Sequence, residues 1–398
     1  MKKDKILFIT WRYPFPLISG AEIRIFNNLK ILSEKYEVDM LVITDMRIKK
    51  DEIVELKNYC KNIRIYSYPK YKFYFNLVKN IFNKNPLQCN YYYFKEIENW
   101  INTNQQNYKK FFFNHIRTSK YINNLNKKDI IIDFVDAISM NFKTGEKNVK
   151  GIKKIIYKIE NKRLLNYEKT ISEKVDKIFI ISEIDKNYLI TNGLKDNIKV
   201  LGNFVTLDFD KNEIEDKNKR DVKYILFLGK MNYEPNISAV KYFSKDIFPK
   251  IKKSYPELEF WIAGNCPTDE VKKLEGIDGI KVLGFVNSRV EIIKNCELFV
   301  APMISGSGIQ NKILEAMYLG KVVITTTIGE EGLEQLNGNE IVVCKNTSEI
   351  INNIVRLLND KLERNKIESQ AQKYINKIYS YQAILKKMLI LLEEEKSL

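Results

Sequence analysis

Short apolar runs alternate with stretches of helical spacing along this chain, and the series starts twice. Residues 5–10 (KILFIT) read as a buried strand, a loop holding Pro14, Pro16 and Gly20 follows, and Ile25, Leu29 and Leu32 then keep helical spacing. Residues 38–44 form the next strand, and later ones fit at 110–114, 130–134 and 177–182. From Tyr224 the pattern restarts, with strands at 224–229, 258–264, 280–286, 297–303, 321–327 and 340–344. Helices at 237–253, 289–295 and 311–319 fall between them. Parallel strands need crossovers, so each series predicts an α/β, doubly wound parallel sheet. The expected division is 1–207, a polar linker at 208–221 (DFDKNEIEDKNKRD), a second lobe at 222–375, and a helical end at 376–398 crossing back to the first lobe. Two such lobes facing each other across a cleft present the carboxyl ends of their strands to a ligand.

Composition excludes several classes. Five scattered cysteines and one histidine leave neither a disulfide framework nor a zinc cluster, and free thiols suit a reducing cytosol. MKKDKILFIT reads as a strand rather than a signal peptide, and no stretch approaches the ~18 apolar residues of a membrane span. A cytoplasmic protein is expected. Residues 1–210 hold 38 Lys and Arg against 24 Asp and Glu, while residues 211–398 hold 28 against 26. The basic half calls for an anionic partner, either a phospholipid surface, a lipid diphosphate or nucleic acid. Solvation of a lysine-rich surface is the plain alternative.

After the strand ELFVAPM come Ser305, Gly306, Ser307 and Gly308, then IQNKILEAMYLG. A helix starting near Gly308 aims free N–H groups and a positive dipole end at an anion without needing a metal. Lys312 in its first turn reaches the same anion. Glu315 lies about 10 Å along the axis, where a carboxylate accepts hydrogen bonds from a vicinal diol. Diphosphate and ribose fit that spacing. A plain glycine turn and a solvated glutamate are the bland alternative. A dinucleotide fingerprint is disfavoured, because Asn311 stands where its third glycine belongs.

These residues resemble glycosyltransferase family 4, the retaining group-1 enzymes with the two-lobed B-type fold of Rossmann-like domains. KILEAMYLGKVVITTTIGEEGLE looks like that family's donor signature, and YILFLGKMNYEPNISAVKYF, FWIAGNCP, VLGFV and the opening KILFITWRYPFPLISGAEIRIFNNLKIL extend the likeness. DFVDAIS and ENKRLLNYEK are similar to sugar transferases of exopolysaccharide systems. The resemblance implies an acceptor-side first lobe and a nucleotide-sugar-binding second lobe. It also implies transfer with retained configuration to a glycan or lipid-diphosphate acceptor, in bacterial surface polysaccharide synthesis, with no metal or other cofactor. By position, Glu315 binds ribose, Lys230 follows Gly229 where relatives carry a phosphate-binding Arg, and backbone at Phe285 and Val286 meets the base. Ser305, Gly308 and Ile309 complete the donor set. The family's first acidic residue falls on Ser307, a departure that leaves the sugar either to Ser305, Ser307 and backbone N–H groups or to another residue. An epimerase of the same fold and a non-catalytic binding subunit are the rival readings.

Other residues sit at strand ends. Ser19 and Gly20 occupy the first strand–helix turn, facing donor phosphates or merely capping the helix. Arg24 reaches the same phosphates or forms a salt bridge. His115 ends KKFFFNH, suited to proton transfer or to a structural hydrogen bond. Asp133 and Asp136 are candidates to orient or deprotonate an acceptor hydroxyl. In 68–82 (YPKYKFYFNLVKNIF), Phe75, Val78, Ile81 and Phe82 form an apolar stripe edged by Lys72, Lys79 and Lys84, able to lie on an anionic membrane or pack on its own lobe. No nucleic-acid recognition signature accompanies it.

Overall fold

The computed structural model describes residues 3–17, 20–48, 52–80, 83–126, 129–147, 149–205, 222–306 and 308–393. The chain divides into two compact units, Met1–Asn203 with Leu385–Leu398, and Phe204–Ile384. The division falls inside the last helix, Tyr381–Glu393, whose end is held in the first unit by a Lys35–Glu393 ion pair and a bond from Lys177 to the Leu391 carbonyl.

The first unit holds seven parallel strands: β1 (Lys5–Thr10), β2 (Glu37–Thr44), β3 (Asn62–Ser67), β4 (Lys110–Asn114), β5 (Asp129–Val135), β6 (Lys177–Ile180) and β7 (Ile198–Val200). Their order is β3-β2-β1-β4-β5-β6-β7. The second unit holds six: β8 (Tyr224–Leu228), β9 (Glu259–Ala263), β10 (Ile280–Gly284), β11 (Leu298–Ala301), β12 (Val323–Thr326) and β13 (Val342–Cys344). These run β10-β9-β8-β11-β12-β13, again all parallel. Both sheets are doubly wound, and each reverses winding direction once, at β1/β4 and at β8/β11. Such a switch point leaves a crevice at the carboxyl ends, because successive crossovers there depart to opposite faces.

Central strands are covered on both faces, which is why they read as continuous apolar runs. Ile6, Phe8, Ile9, Ile225, Leu226 and Phe227 are fully buried, each stabilising the fold by roughly 1.5–3 kcal/mol relative to exposure. Two strands escape the sequence pattern. β3 is a half-covered edge strand with alternating burial, and β7 has only three residues. The helix expected at 237–253 is broken into Glu234–Tyr242, a π turn at Phe243–Ile247, and Phe248–Ser254. Pro249 lacks the N–H a continuous α-helix would need there, and a π turn absorbs the mismatch. The linker expected at 208–221 lies outside the described residues. Among those described, no helix is long and apolar enough to cross a membrane.

Candidate functional site

The second unit gathers its chemistry at the β8/β11 switch point. Backbone packs tightly here: Gly229 N donates to the Ala263 carbonyl, and a Cβ on Gly264 would sit 1.7 Å from the Gly229 carbonyl oxygen. Lys230 follows and is exposed. Its carbonyl accepts a bond from Asn236 Nδ2 at 2.9 Å, and Asn236 Oδ1 accepts one from Lys312 Nζ at 2.5 Å. Asn236 therefore ties the strand-end loop to the helix Asn311–Tyr318.

Lys312 is buried. Its ammonium lies 4.7 Å from the Phe227 ring centre and 3.5 Å from Met303 Sδ. Among the described residues no carboxylate lies within ion-pair distance of it. Desolvation without a counter-charge lowers its pKa to about 7. The helix begins at Asn311, three residues later than Gly308, because Gly308 is in the left-handed region (φ 73°) and Gln310 is extended. Gln310, at the N-cap position, makes no side-chain cap. Gly308 and Ile309 press on Gly332, where a Cβ would approach Ile309 Cα to 2.6 Å.

Glu315 follows Lys312 by three residues and is also buried, with burial raising its pKa and Arg289 opposing that. Arg289 Nη2 donates to Glu315 Oε2 at 2.5 Å. The late helix start leaves Glu315 about 6 Å, not 10 Å, beyond the first helical residue. Arg289 opens the helix Arg289–Lys294 and was not anticipated. Its only sequence signal was an arginine just past a strand end. Phe285 is 70% exposed beside β10, and Val286 is half-buried. Ser305 is half-buried. Ser307 lies outside the described residues, as does Ser19.

In the first unit the β1/β4 switch point carries Trp11 and Arg12 after one strand, and His115 and Arg117 after the other. Guanidinium carbons of Arg12 and Arg117 lie 4.3 and 4.0 Å from the Trp11 ring centre, and Tyr92 and His115 pack against the same indole at 5.5 Å. Arg12 pairs with Glu22 at 2.6 Å. Arg117 donates to Gln88 Oε1 at 2.9 Å, and no carboxylate among the described residues pairs with it. His115 has φ 68°, and its Nδ1 accepts from Arg117 N at 3.3 Å, which assigns the proton of the neutral ring to Nε2. Burial, together with Arg117 and Arg12, holds its pKa well below the usual value. Val135 on the adjacent strand is likewise left-handed (φ 69°). Such strain persists only where the surroundings enforce it.

Asp136 follows Val135. Burial, then Asp185, push its pKa up to about 7, with Arg24 opposing. Asp133 and Arg24 are committed elsewhere. Arg24 Nε and Nη2 clasp Asp133 at 2.7 and 2.8 Å, and its Nη1 donates to Leu201 O and Asn203 Oδ1. Asn28 and Val135 N also donate to Asp133. This corrects the expectation that Asp133 orients an acceptor, and of the two readings of Arg24 the salt bridge is the one found: both side chains are buried and bonded to each other. Gly20 opens the helix Gly20–Lys35 that carries Arg24. The stretches DFVDAIS and ENKRLLNYEK meet through Glu168, which accepts bonds from Ser139 Oγ at 2.5 Å and Ser139 N at 3.1 Å. Among the described residues no His, Cys, Asp and Glu cluster could hold a metal.

The family model of glycosyl transferases group 1 matches residues 222–360, which contain Lys230, Arg289, Lys312 and Glu315. This segment is a group 1 glycosyltransferase domain. The chain as a whole is similar to a 44.6 kDa protein of the Klebsiella pneumoniae cps region, 24% identical over 85% of this chain and 87% of that one. It is also similar to glycosyltransferase MJ1069 of Methanocaldococcus jannaschii, 23% identical over 97% of each. In fold the glycosyltransferase matches Anabaena HepE, solved with UDP and glucose, at a TM-score of 0.64 and 14% identity over 98% of this chain and 100% of that one. Its two parallel-strand units are those of the B-type glycosyltransferase fold.

Proposed function

We propose that this glycosyltransferase moves a sugar, with retained configuration, from a nucleoside diphosphate to a glycan or lipid-linked acceptor of bacterial surface polysaccharide. The observation that carries the reading is buried Lys312: a cation with no carboxylate partner among the described residues, in the first turn of a helix whose N-cap Gln310 makes no side-chain cap, at a sheet switch point. Burying such a charge is costly unless an anion completes it. A diphosphate placed there meets Lys312, the helix N–H groups and exposed Lys230, which together stabilise the charge of the departing group. Glu315, aimed by Arg289, accepts the ribose hydroxyls, and backbone at Phe285 and Val286 meets the base. Ser305, Ser307, Gly308 and Ile309 hold the sugar.

On the acceptor side, neutral His115 offers an Nε2 proton to a sugar hydroxyl, and ionised Asp136 accepts a bond from the attacking hydroxyl. Gly20 lets backbone approach the phosphates. The leaving phosphate takes the acceptor proton on the same face, so no enzyme nucleophile, metal or cofactor is required. HepE's complex with UDP and glucose and the cps-region relative support the donor class and the pathway.

The test is a thermal-shift screen of UDP, GDP and their sugars, followed by product analysis. A nucleoside diphosphate should raise the melting temperature in wild type and far less in Glu315→Ala combined with Lys230→Ala. Free epimerised sugar formed without acceptor, or no binding by any nucleotide, overturns the proposal.

A further inference from the structure

Two helices of the first unit expose apolar stripes that no other described residue covers. In the helix Ile152–Ser172, Ile152, Ile155, Ile156 and Ile159 stand at positions i, i+3, i+4 and i+7, all between 43% and 77% exposed. In the helix Lys70–Lys79, Tyr71, Tyr74, Phe75 and Val78 repeat that spacing, all between 59% and 68% exposed. Residues so spaced share one helix face. The buried member of the second helix, Phe73, points the other way, into a cluster with Tyr91, Tyr92 and Phe94. On the first helix, Tyr157 turns instead to Phe142.

Both stripes are flanked by lysine. Lys153, Lys158 and Lys162 fall to the sides of the isoleucines, and Lys70, Lys72 and Lys79 to the sides of the aromatics. Residues 143–163 hold eight Lys and Arg against two Asp and Glu. One of those acids, Glu160, is buried and bonded to Arg163. The short helix Leu87–Tyr91 joins the two stripes. Leu87 N donates to Glu160 Oε2 at 2.8 Å, while Tyr91 lies edge-on to Tyr74 at 5.6 Å. Five helical residues span only about 6 Å, so the stripes are neighbours on one unit.

We propose that these two helices seat the first unit on an anionic lipid surface, the isoleucines and aromatics entering the headgroup boundary and the lysines meeting lipid phosphates. An apolar stripe edged by lysine, on a helix too polar to span, is the pattern that lies in an interface. A second copy of the chain is the poorer occupant, because a two-fold contact would set each lysine row against its own image. The inference extends the reading of a lipid-linked acceptor but does not depend on the donor site. It shifts the sequence expectation as well: the stripe in 68–82 runs through Tyr71 and Tyr74 to Val78, and Ile81 and Phe82 lie outside the described residues.

The experiment is co-sedimentation of the full chain with phosphatidylcholine vesicles, with and without phosphatidylglycerol. Wild type should pellet with the anionic vesicles, release as salt rises, and stay in solution with phosphatidylcholine alone. Ile155→Glu with Ile159→Glu, and separately Tyr74→Glu with Phe75→Glu, should each weaken binding by about tenfold or more. Leu362→Glu, at an exposed leucine of the second unit, should not. Nucleoside-diphosphate binding, measured without vesicles, confirms that each variant is folded and keeps the two proposals separable. Wild type that ignores anionic vesicles overturns the inference. So do stripe variants that bind them undiminished while converting a dimer to a monomer.

Discussion

Lys312 and Glu315 lie on one buried stretch of helix, and desolvation pushes both toward their neutral forms. Glu315 has Arg289 to oppose that push, whereas Lys312 meets only the uncharged amide of Asn236, sulfur of Met303 and ring of Phe227 among the described residues. Lys312 should therefore take up a proton when a diphosphate arrives above pH 7. Calorimetry with UDP at pH 8 should show a binding enthalpy that varies with the buffer's ionisation enthalpy. Lys312→Arg should abolish that variation at pH 8. Lys312→Met should lose about 10- to 100-fold in affinity. Its effect on stability has the opposite sign. The unfolded lysine binds more protons between about pH 7 and 10.5, so wild-type stability rises with pH across that window, and the methionine variant should lack the slope.

Asp136 offers a second test at this scale. Its pKa is raised to about 7, so it stabilises the fold below the unfolded value near 4 and loses that contribution as pH rises to 7. Asp136→Asn should melt higher than wild type at pH 8 yet transfer sugar roughly 100-fold or more slowly. The acidic limb near pH 7 in the wild-type kcat/KM profile should disappear with it. A variant that is less stable and equally active would reduce Asp136 to a structural residue.

At the scale of elements, the donor loop is shaped by contacts that carry no charge signature. Gly308 and Ile309 lie against Gly332, and Gly332→Ala forces that backbone to move, since its Cβ would meet Ile309 Cα at 2.6 Å. A shift near 1 Å at a reacting group costs up to about 100-fold. Gly332→Ala should therefore cut kcat/KM steeply, with only a modest change in UDP affinity if Lys312 stays in place. Periodicity revealed the central strands because burial on both faces writes itself as an apolar run. β3 and β7 were missed because an edge strand and a three-residue strand need little apolar sequence. Lys312 and Glu315 were legible from their place after a strand and glycines. Arg289, Asn236 and the stacking of Arg12 and Arg117 on Trp11 were not, since each depends on strands far apart in sequence becoming neighbours. The exposure of Ile152, Ile155, Ile156 and Ile159 also required the structure, because the same spacing would serve a helix buried against its own lobe.

At the scale of the whole molecule, two cores of separate composition hold the two units, one built on β8–β13 and one on the strands of the first sheet. A chain with two cores departs from single-transition unfolding. Scanning calorimetry should resolve two transitions, and all of the proposed diphosphate groups except Gly20 belong to the second unit. UDP at about 100 times its dissociation constant should stabilise that unit by about 2.7 kcal/mol and leave the other transition in place. Anionic vesicles should act on the opposite transition, since both exposed stripes belong to the first unit. Ligand and lipid thus address different cores, and Lys312→Met with Ile155→Glu should remove the two effects independently. A single transition that both additives shift together would mean that the units unfold as one. Assignment of the diphosphate groups and the stripes to separate cores would then have no thermodynamic counterpart.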